Sequence, residues 1–321
     1  MGPRAKRRRG PHLTRLWALP LVHALFRRPM AVAVDAANRG RRRKLFQPMT
    51  DLALHFLGVG NARALSLGSS AAVLEMDGAP ALLIDCGPAT LDAFTTAYRR
   101  LPPAVFITHA HLDHVGGLEG LYYKLATGPA VAPVKLYVPV ALIPTLQRRL
   151  ADYPNLLAEG GSNFWDVFQL VPVSECFWHR QLQLTVFPVR HHQHMSAFGL
   201  ALEGLFLYSG DTRPIPEILN RHAARGEWIF HDCALHGNPS HTGLEDLRRE
   251  YKPEQLARMV LYHYESPEAG RELAAQGLRI ARPGERFRLD HRPKRMTPVA
   301  HDARDQAGVV PTSPLPDAVG W

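Results

Sequence analysis

The chain has 321 residues, enough for one large domain or two smaller ones, and its 46% hydrophobic and 21% charged residues are those of an ordinary soluble globular protein. A net charge of +9 points at first to a nucleic-acid or membrane partner, but residues 1–48 hold thirteen Lys or Arg against one acid, Asp35. That segment is therefore +12, which leaves residues 49–321 at −3 and excludes a basic face spread over the folded body.

The first 48 residues carry blocks of like charge at Lys6 to Arg9, Arg27-Arg28 and Arg41 to Lys44, a pattern that self-repels and predicts disorder. The apolar run Leu16 to Phe26 is too short to cross a bilayer, so no membrane span is expected, and Pro20, His23 and the Arg pair spoil it as a signal-peptide core. The segment reads as a disordered basic arm, a degenerate targeting segment, or sequence upstream of a start at Met30 or Met49. The last is preferred because the first clear strand begins just after Met49. Three widely spaced cysteines, Cys86, Cys176 and Cys233, make no disulfide framework and point to a reducing, cytoplasmic setting.

From residue 49 to 291 the chain alternates short apolar runs with turn signals, the pattern expected of the folded domain. Leu52 to Leu57 reads as a strand closed by Gly58-Val59-Gly60. Ala71 to Met76 and Ala81 to Ile84 read as a hairpin around Asp77-Gly78. A helix is expected over Ala89–Arg100, a strand over Ala104–Ile107, and a helix over His114–Leu125 with Gly116-Gly117 allowing close approach to the loop before it. Further strands are expected at Val134–Val138, Phe168–Val173, Leu182–Val189, Gly199–Leu202, Leu205–Tyr208, Glu227–Phe230 and Arg258–Tyr262, with helices at Pro216–Arg225 and Leu244–Glu250. Residues 292–321, Pro-rich and aperiodic, are expected to be disordered. Strands that alternate with helices in this way suggest two sheets packed face to face with helices outside.

The chemistry concentrates in His109-Ala110-His111-Leu112-Asp113-His114, which directly follows a buried strand. His-x-His spacing lets two imidazoles converge on one ion, and zinc takes neutral His and carboxylate ligands. Asp113 and His114 do not easily reach that same ion and point to a second one beside it. Four later segments place similar groups just past strands: Arg190-His191-His192-Gln193-His194, Ser209-Gly210-Asp211-Thr212, His231-Asp232-Cys233-Ala234 with His241-Thr242, and Tyr262-His263-Tyr264. Which of His191, His192 and His194 faces the cluster stays open on sequence. Phe164, Trp165, Tyr122 and Tyr123 are candidates for base stacking, with core packing the competing role.

In this order, the motifs resemble the metallo-β-lactamase fold superfamily over Asp51 to about Leu289, and within it the ribonuclease Z-like and cyclic phosphodiesterase branch. The resemblance implies an α/β fold, the αββα four-layer sandwich. It also implies two divalent metal ions, zinc first, with manganese or iron tolerated. His109, His111 and His191 would hold one, Asp113, His114 and His263 the other, and Asp211 would bridge them. A metal-bridging hydroxide would attack the phosphodiester, Asp113 would orient it, and His241 held by Asp232 would serve the leaving oxygen, with Asp85 orienting the metal loop.

Only nineteen residues separate His191 from Asp211, where tRNA-processing members of that branch carry a long RNA-gripping arm. A small or cyclic nucleotide-like phosphodiester is therefore the expected substrate. The alternatives are RNA 3′-end processing with the basic segment replacing the arm, a lactonase or thioesterase-type hydrolase, and a non-catalytic metal-binding sensor. A homodimer is a further expectation, since relatives in the branch often dimerise.

Overall fold

The computed structural model describes residues 50–129, 132–152 and 162–289. The expectations for residues 1–48 and 292–321 lie outside them. Among the described residues one sheet contains β1 (Leu52–Gly58), β2 (Ala71–Met76), β3 (Ala79–Ile84), β4 (Ala104–Phe106), β5 (Val134–Pro139) and β6 (Phe168–Val173) in spatial order, with the late strand Arg286–Arg288 added beside β1. The second contains β7 (Cys176–His179), β8 (Leu182–Pro188), β9 (Phe198–Leu202), β10 (Phe206–Tyr208), β11 (Trp228–Asp232) and β12 (Met259–Tyr262), again in sequence order across the sheet.

Each sheet begins as antiparallel meanders and ends as parallel strands joined through helices. The β2–β3 turn uses Asp77 and Gly78, both at positive φ (52° and 75°), the backbone that matches the right-handed twist of a two-residue hairpin. From β3 to β6 and from β10 to β12 the pairing is parallel. The crossovers are α1 (Thr90–Tyr98), then α2 (Leu112–Val115) and α3 (Gly117–Thr127), then α4 (Ile143–Leu146) on one sheet. On the other they are α5 (Pro216–His222), then α6 (Leu244–Glu250) and α7 (Pro253–Leu256), with α8 (Pro267–Ala275) after β12. A parallel sheet with helical crossovers collects functional residues beyond the carboxyl ends of its strands. Two such ends meet here.

The facing sheets share an aromatic core. Phe56 of β1 is fully buried, with ring centroids 6.3, 5.4 and 5.7 Å from Tyr208, Phe230 and Tyr262 of the second sheet. Near the other edge Phe177 stacks on Tyr137 at 4.2 Å. On the outer side of the second sheet His222 of α5 stacks on Phe187 at 5.2 Å, and Tyr251 after α6 bonds His231 at 2.7 Å. On the first, Phe94 of α1 and Leu118 and Leu121 of α3 are buried. The result is the αββα four-layer sandwich expected from the motifs. None of the helices described is long and apolar enough to cross a membrane.

Gly117 shows why this packing needs a glycine: a Cβ there would lie 2.4 Å from Gly87 O and 2.9 Å from Cys86 O. The helix behind the histidine cluster therefore sits directly on the β3–α1 loop, whereas the Gly116-Gly117 pair was expected to allow close approach to the metal loop. Gly117→Ala should cost about 1–3 kcal/mol through forced backbone displacement. Urea unfolding checks this, and an unchanged midpoint would contradict so close an approach.

Candidate active site

The seven expected metal-site residues come together at the carboxyl ends of the parallel strands. His109, His111, Asp113 and His114 follow β4; Asp211 follows β10; His263 follows β12; His191 enters from the end of β8. Supporting residue Asp85 and site residue His263 both hold non-glycine backbone at positive φ, 62° and 70°. Such conformations cost on the order of 1–3 kcal/mol and persist where surrounding bonds over-determine them. Asp85 accepts from Thr108 N at 2.8 Å and Thr108 Oγ1 at 2.7 Å, and His263 N–H donates to Val59 O at 2.7 Å.

Asp211 Oδ2 is the geometric centre. It lies 3.6 Å from His109 Nε2, 3.9 Å from His191 Nε2, 3.3 Å from His114 Nε2 and 3.2 Å from His263 Nε2. On one side His111 Nδ1 is 3.1 Å from both His109 Nε2 and His191 Nε2. On the other, Asp113 Oδ2 is 3.5 Å from His114 Nε2 and 3.7 Å from His263 Nε2. Two ligands of one tetrahedral zinc, each about 2.0–2.1 Å from it, stand roughly 3.3 Å apart. The donors thus form two groups of that spacing, His109-His111-His191-Asp211 and Asp113-His114-Asp211-His263.

The outward nitrogens are held. Thr108 Oγ1 is 3.0 Å from His109 Nδ1, Asp85 Oδ2 is 2.8 Å from His114 Nδ1, Ser240 O is 3.0 Å from His191 Nδ1 and Asp232 Oδ1 is 3.3 Å from His263 Nδ1. Outer partners of this kind fix ring orientation and tautomer for metal binding. The inward atoms are not satisfied: His114 Nε2, His263 Nε2 and Asp211 Oδ1 are buried without a hydrogen-bond partner. Buried polar atoms left without partners call for an explanation. Divalent cations between the two groups supply one.

Charge gives the same answer. Asp85, Asp113, Asp211 and Asp232 crowd together, and among the described residues every ion-pair contact they make is to a histidine. Burial works against a charged His263, yet Asp211 and Asp232 outweigh it and lift its pKa to about 10. Burial likewise opposes a charged His114, and Asp211 with Asp85 hold it well above its usual value. Burial dominates at His191 and pushes it down to about 4, with Asp211 opposing. Protons on some imidazoles thus balance carboxylates that a pair of cations would balance more fully.

Of the three histidines left open in the third motif, His191 reaches the cluster. His192 is exposed, with Nδ1 3.2 Å from Ser240 Oγ, and His194 is exposed as well. His241 Nδ1 is 2.8 Å from Asp232 Oδ2, and its ring stacks on His263 at 4.9 Å. Burial opposes its charged form, but the Asp232 hydrogen bond raises its pKa. Asp232 also accepts from Thr212 N at 2.9 Å, tying it to the Asp211 turn.

A cleft of ≈730 Å³ opens beside His109, His111 and His191, within the size range of small-molecule sites. Its other wall comes from Leu142, Thr145 and Arg149, which the sequence reading did not single out. Arg148-Arg149 inside an apolar helical run was the available signal. The proposed base-stacking residues do not line this cleft: Tyr122 and Phe164 are buried, 5.7 Å apart. His231, adjacent to Asp232, faces away and bonds the Tyr251 hydroxyl.

Residues 52–287 match the family described as Anti-Pycsar protein Apyc1. The Anti-Pycsar protein Apyc1 of Bacillus phage 010DV004 is 30% identical over 233 residues, covering 66% of this chain and 88% of that protein. Among solved structures, a diphosphatase of the PhnP family superposes with a TM-score of 0.61 at 18% identity, covering 74% of this chain and 97% of its own. Human short-form tRNase Z does so with a TM-score of 0.55 at 20% identity, covering 74% and 99%. The fold expected from the motifs is thus shared with these structures, and, with the family match spanning most of the chain, this protein has the metallo-β-lactamase fold and belongs to the Anti-Pycsar protein Apyc1 family.

Proposed function

We propose that the chain hydrolyses a small or cyclic nucleotide-like phosphodiester with two divalent cations, zinc first, held by the two ligand groups. The observation that carries this reading is the placement of Asp211 Oδ2 between four imidazole nitrogens at 3.2 to 3.9 Å, a position suited to a shared ligand. Bound there, such a pair supplies a water-derived nucleophile at neutral pH and neutralises phosphoryl oxygens. Around it, His109, His111 and His191 orient one group, and Asp113, His114 and His263 the other. Asp113, the least buried of the four carboxylates, would accept a hydrogen bond from the incoming water and orient it. His241 donates Nδ1–H to Asp232, so its Nε2 is free to carry a proton to the leaving oxygen.

Substrate size follows from what stands between His191 and Asp211. Those nineteen residues are spent on a short turn and the β9–β10 hairpin, so no arm for structured RNA extends from this point. The folded body is slightly acidic, which also gives polyanionic RNA no electrostatic footprint.

Metal analysis of the purified protein should give two divalent ions per chain. Exhaustive chelation should abolish turnover and lower the melting temperature, because ions that bind only the folded state stabilise it by mass action. Zinc-loaded protein should cleave bis(p-nitrophenyl) phosphate and cyclic nucleotides. Turnover confined to precursor tRNA, a lactone or a cephalosporin would overturn the proposal, and metal without any turnover would point to a sensor.

A further inference from the structure

The segment bearing Arg149 has an irregular helical geometry. α4 runs into a five-residue π-helical turn, Gln147–Ala151, in which Asp152 N–H donates to Gln147 O at 2.9 Å. Such wide turns are rare and recur at functional sites. This one is braced on its outer side, where Trp165 Nε1–H donates to Gln147 Oε1 at 2.5 Å and the Gln147 amide bonds Asp152. Leu146 and Leu150 root it in the core, and Arg149 stands on the cleft wall.

Arg149 makes one hydrogen bond among the described residues. Its Nη1–H donates at 3.0 Å to Ala110 O, the carbonyl between His109 and His111. Among the described residues no Asp or Glu lines the cleft. Arg190, beside His191, is neutralised by Glu217 at 3.0 Å, and Arg148 donates to Thr145 Oγ1 at 3.4 Å. A guanidinium carries five N–H donors in a planar fork suited to phosphate oxygens. With one donor anchored on the histidine loop, the rest of the fork is available to a ligand beside the ligand cluster.

We propose that Arg149 is the anion-binding residue of the site: clamped by Ala110 O, it grips a non-bridging phosphate oxygen of the substrate and selects anionic phosphodiesters over neutral esters. The identity of that anion rests on the phosphodiesterase reading above. Thr145, on the same wall, adds a hydroxyl donor, while Leu142 and Met195 offer apolar surface to the rest of the ligand.

The test uses the full zinc-loaded chain with inorganic phosphate as calorimetric probe and bis(p-nitrophenyl) phosphate as substrate. Arg149→Gln should weaken phosphate binding about 10–100-fold, the scale of a charge-assisted hydrogen bond. It should raise KM with zinc content and melting temperature unchanged, and Arg149→Lys should recover part of the loss. Phosphate affinity within about twofold of wild type would overturn the proposal. Loss of zinc would overturn it too, since Arg149 would then only brace the loop through Ala110. Should wild-type protein cleave no phosphodiester while Arg149→Gln still loses phosphate, the anion site stands and the phosphodiesterase reading falls.

Discussion

Asp211→Ala should abolish hydrolysis, by more than about 10³-fold, and reduce the metal count from two to one or none. The reason is positional. Asp211 is the one residue common to both ligand groups, and its Oδ2 lies within 4 Å of one nitrogen from each of four histidines. Removing even an outer partner of a metal ligand typically costs 10–100-fold in affinity or activity, so losing the shared ligand exceeds that range. A methyl group in its place also leaves His109, His114 and His263 facing one another without their common counter-charge, and breaking buried charge pairs costs about 3–5 kcal/mol. Asp211→Asn preserves the side-chain shape but not the charge, so it separates electrostatics from packing. Elemental analysis and turnover would be measured on both variants, with circular dichroism as the check on folding. Two ions per chain and near-wild-type turnover in Asp211→Ala would show that the two groups do not share a ligand.

The site was more legible than the fold around it, and the difference has a physical cause. Metal chemistry needs few residue types at fixed spacings, and parallel strands deliver them at their ends, so His109 to His114, Asp211 and His263 stood out against apolar runs. The third motif was ambiguous because His191, His192 and His194 are close in sequence and differ only in where a turn points them. In the structure Ser240 O holds His191 inward, a contact 49 residues away that no local pattern encodes. Elements that carry little hydrophobic signal were missed. β7 alternates exposed and buried residues correctly but over only four positions, Cys176 to His179. α8 buries only Ala269, Gly270 and Leu273 and is otherwise polar, so it carries little apolar signal. The edge strand Arg286–Arg288 carries one buried residue, Phe287, and exists because β1 offers it a free edge. Arg149 was missed for a related reason: its role depends on a π-helical turn that brings it beside a loop 39 residues earlier in the chain.

His241→Ala should leave the metal count intact and slow hydrolysis by an amount that depends on the leaving group. His241 belongs with Asp232 and His263 rather than with either complete ligand group, and its side chain is 21% exposed where those two are nearly inaccessible. It is therefore placed to meet a substrate atom instead of sitting behind a ligand. Asp232 fixes its Nδ1 and raises its pKa against the opposing effect of burial, which favours the protonated imidazole that a general acid needs. General acid catalysis is worth about 10²–10⁴-fold when the departing oxygen is strongly basic and little when it is not. A cyclic nucleotide expels a sugar alkoxide and should lose that full factor in kcat. Bis(p-nitrophenyl) phosphate expels a stabilised phenolate and should lose less than about tenfold. Equal losses on both substrates would assign His241 to orientation or binding rather than proton donation. Asp232→Asn offers the contrast: Asp232 also holds His263 Nδ1 at 3.3 Å and accepts from Thr212 N at 2.9 Å, so its loss should disturb metal content and turnover together. A variant pair in which only Asp232→Asn loses metal, and only His241→Ala shows leaving-group dependence, would separate the proton donor from the residue that holds it.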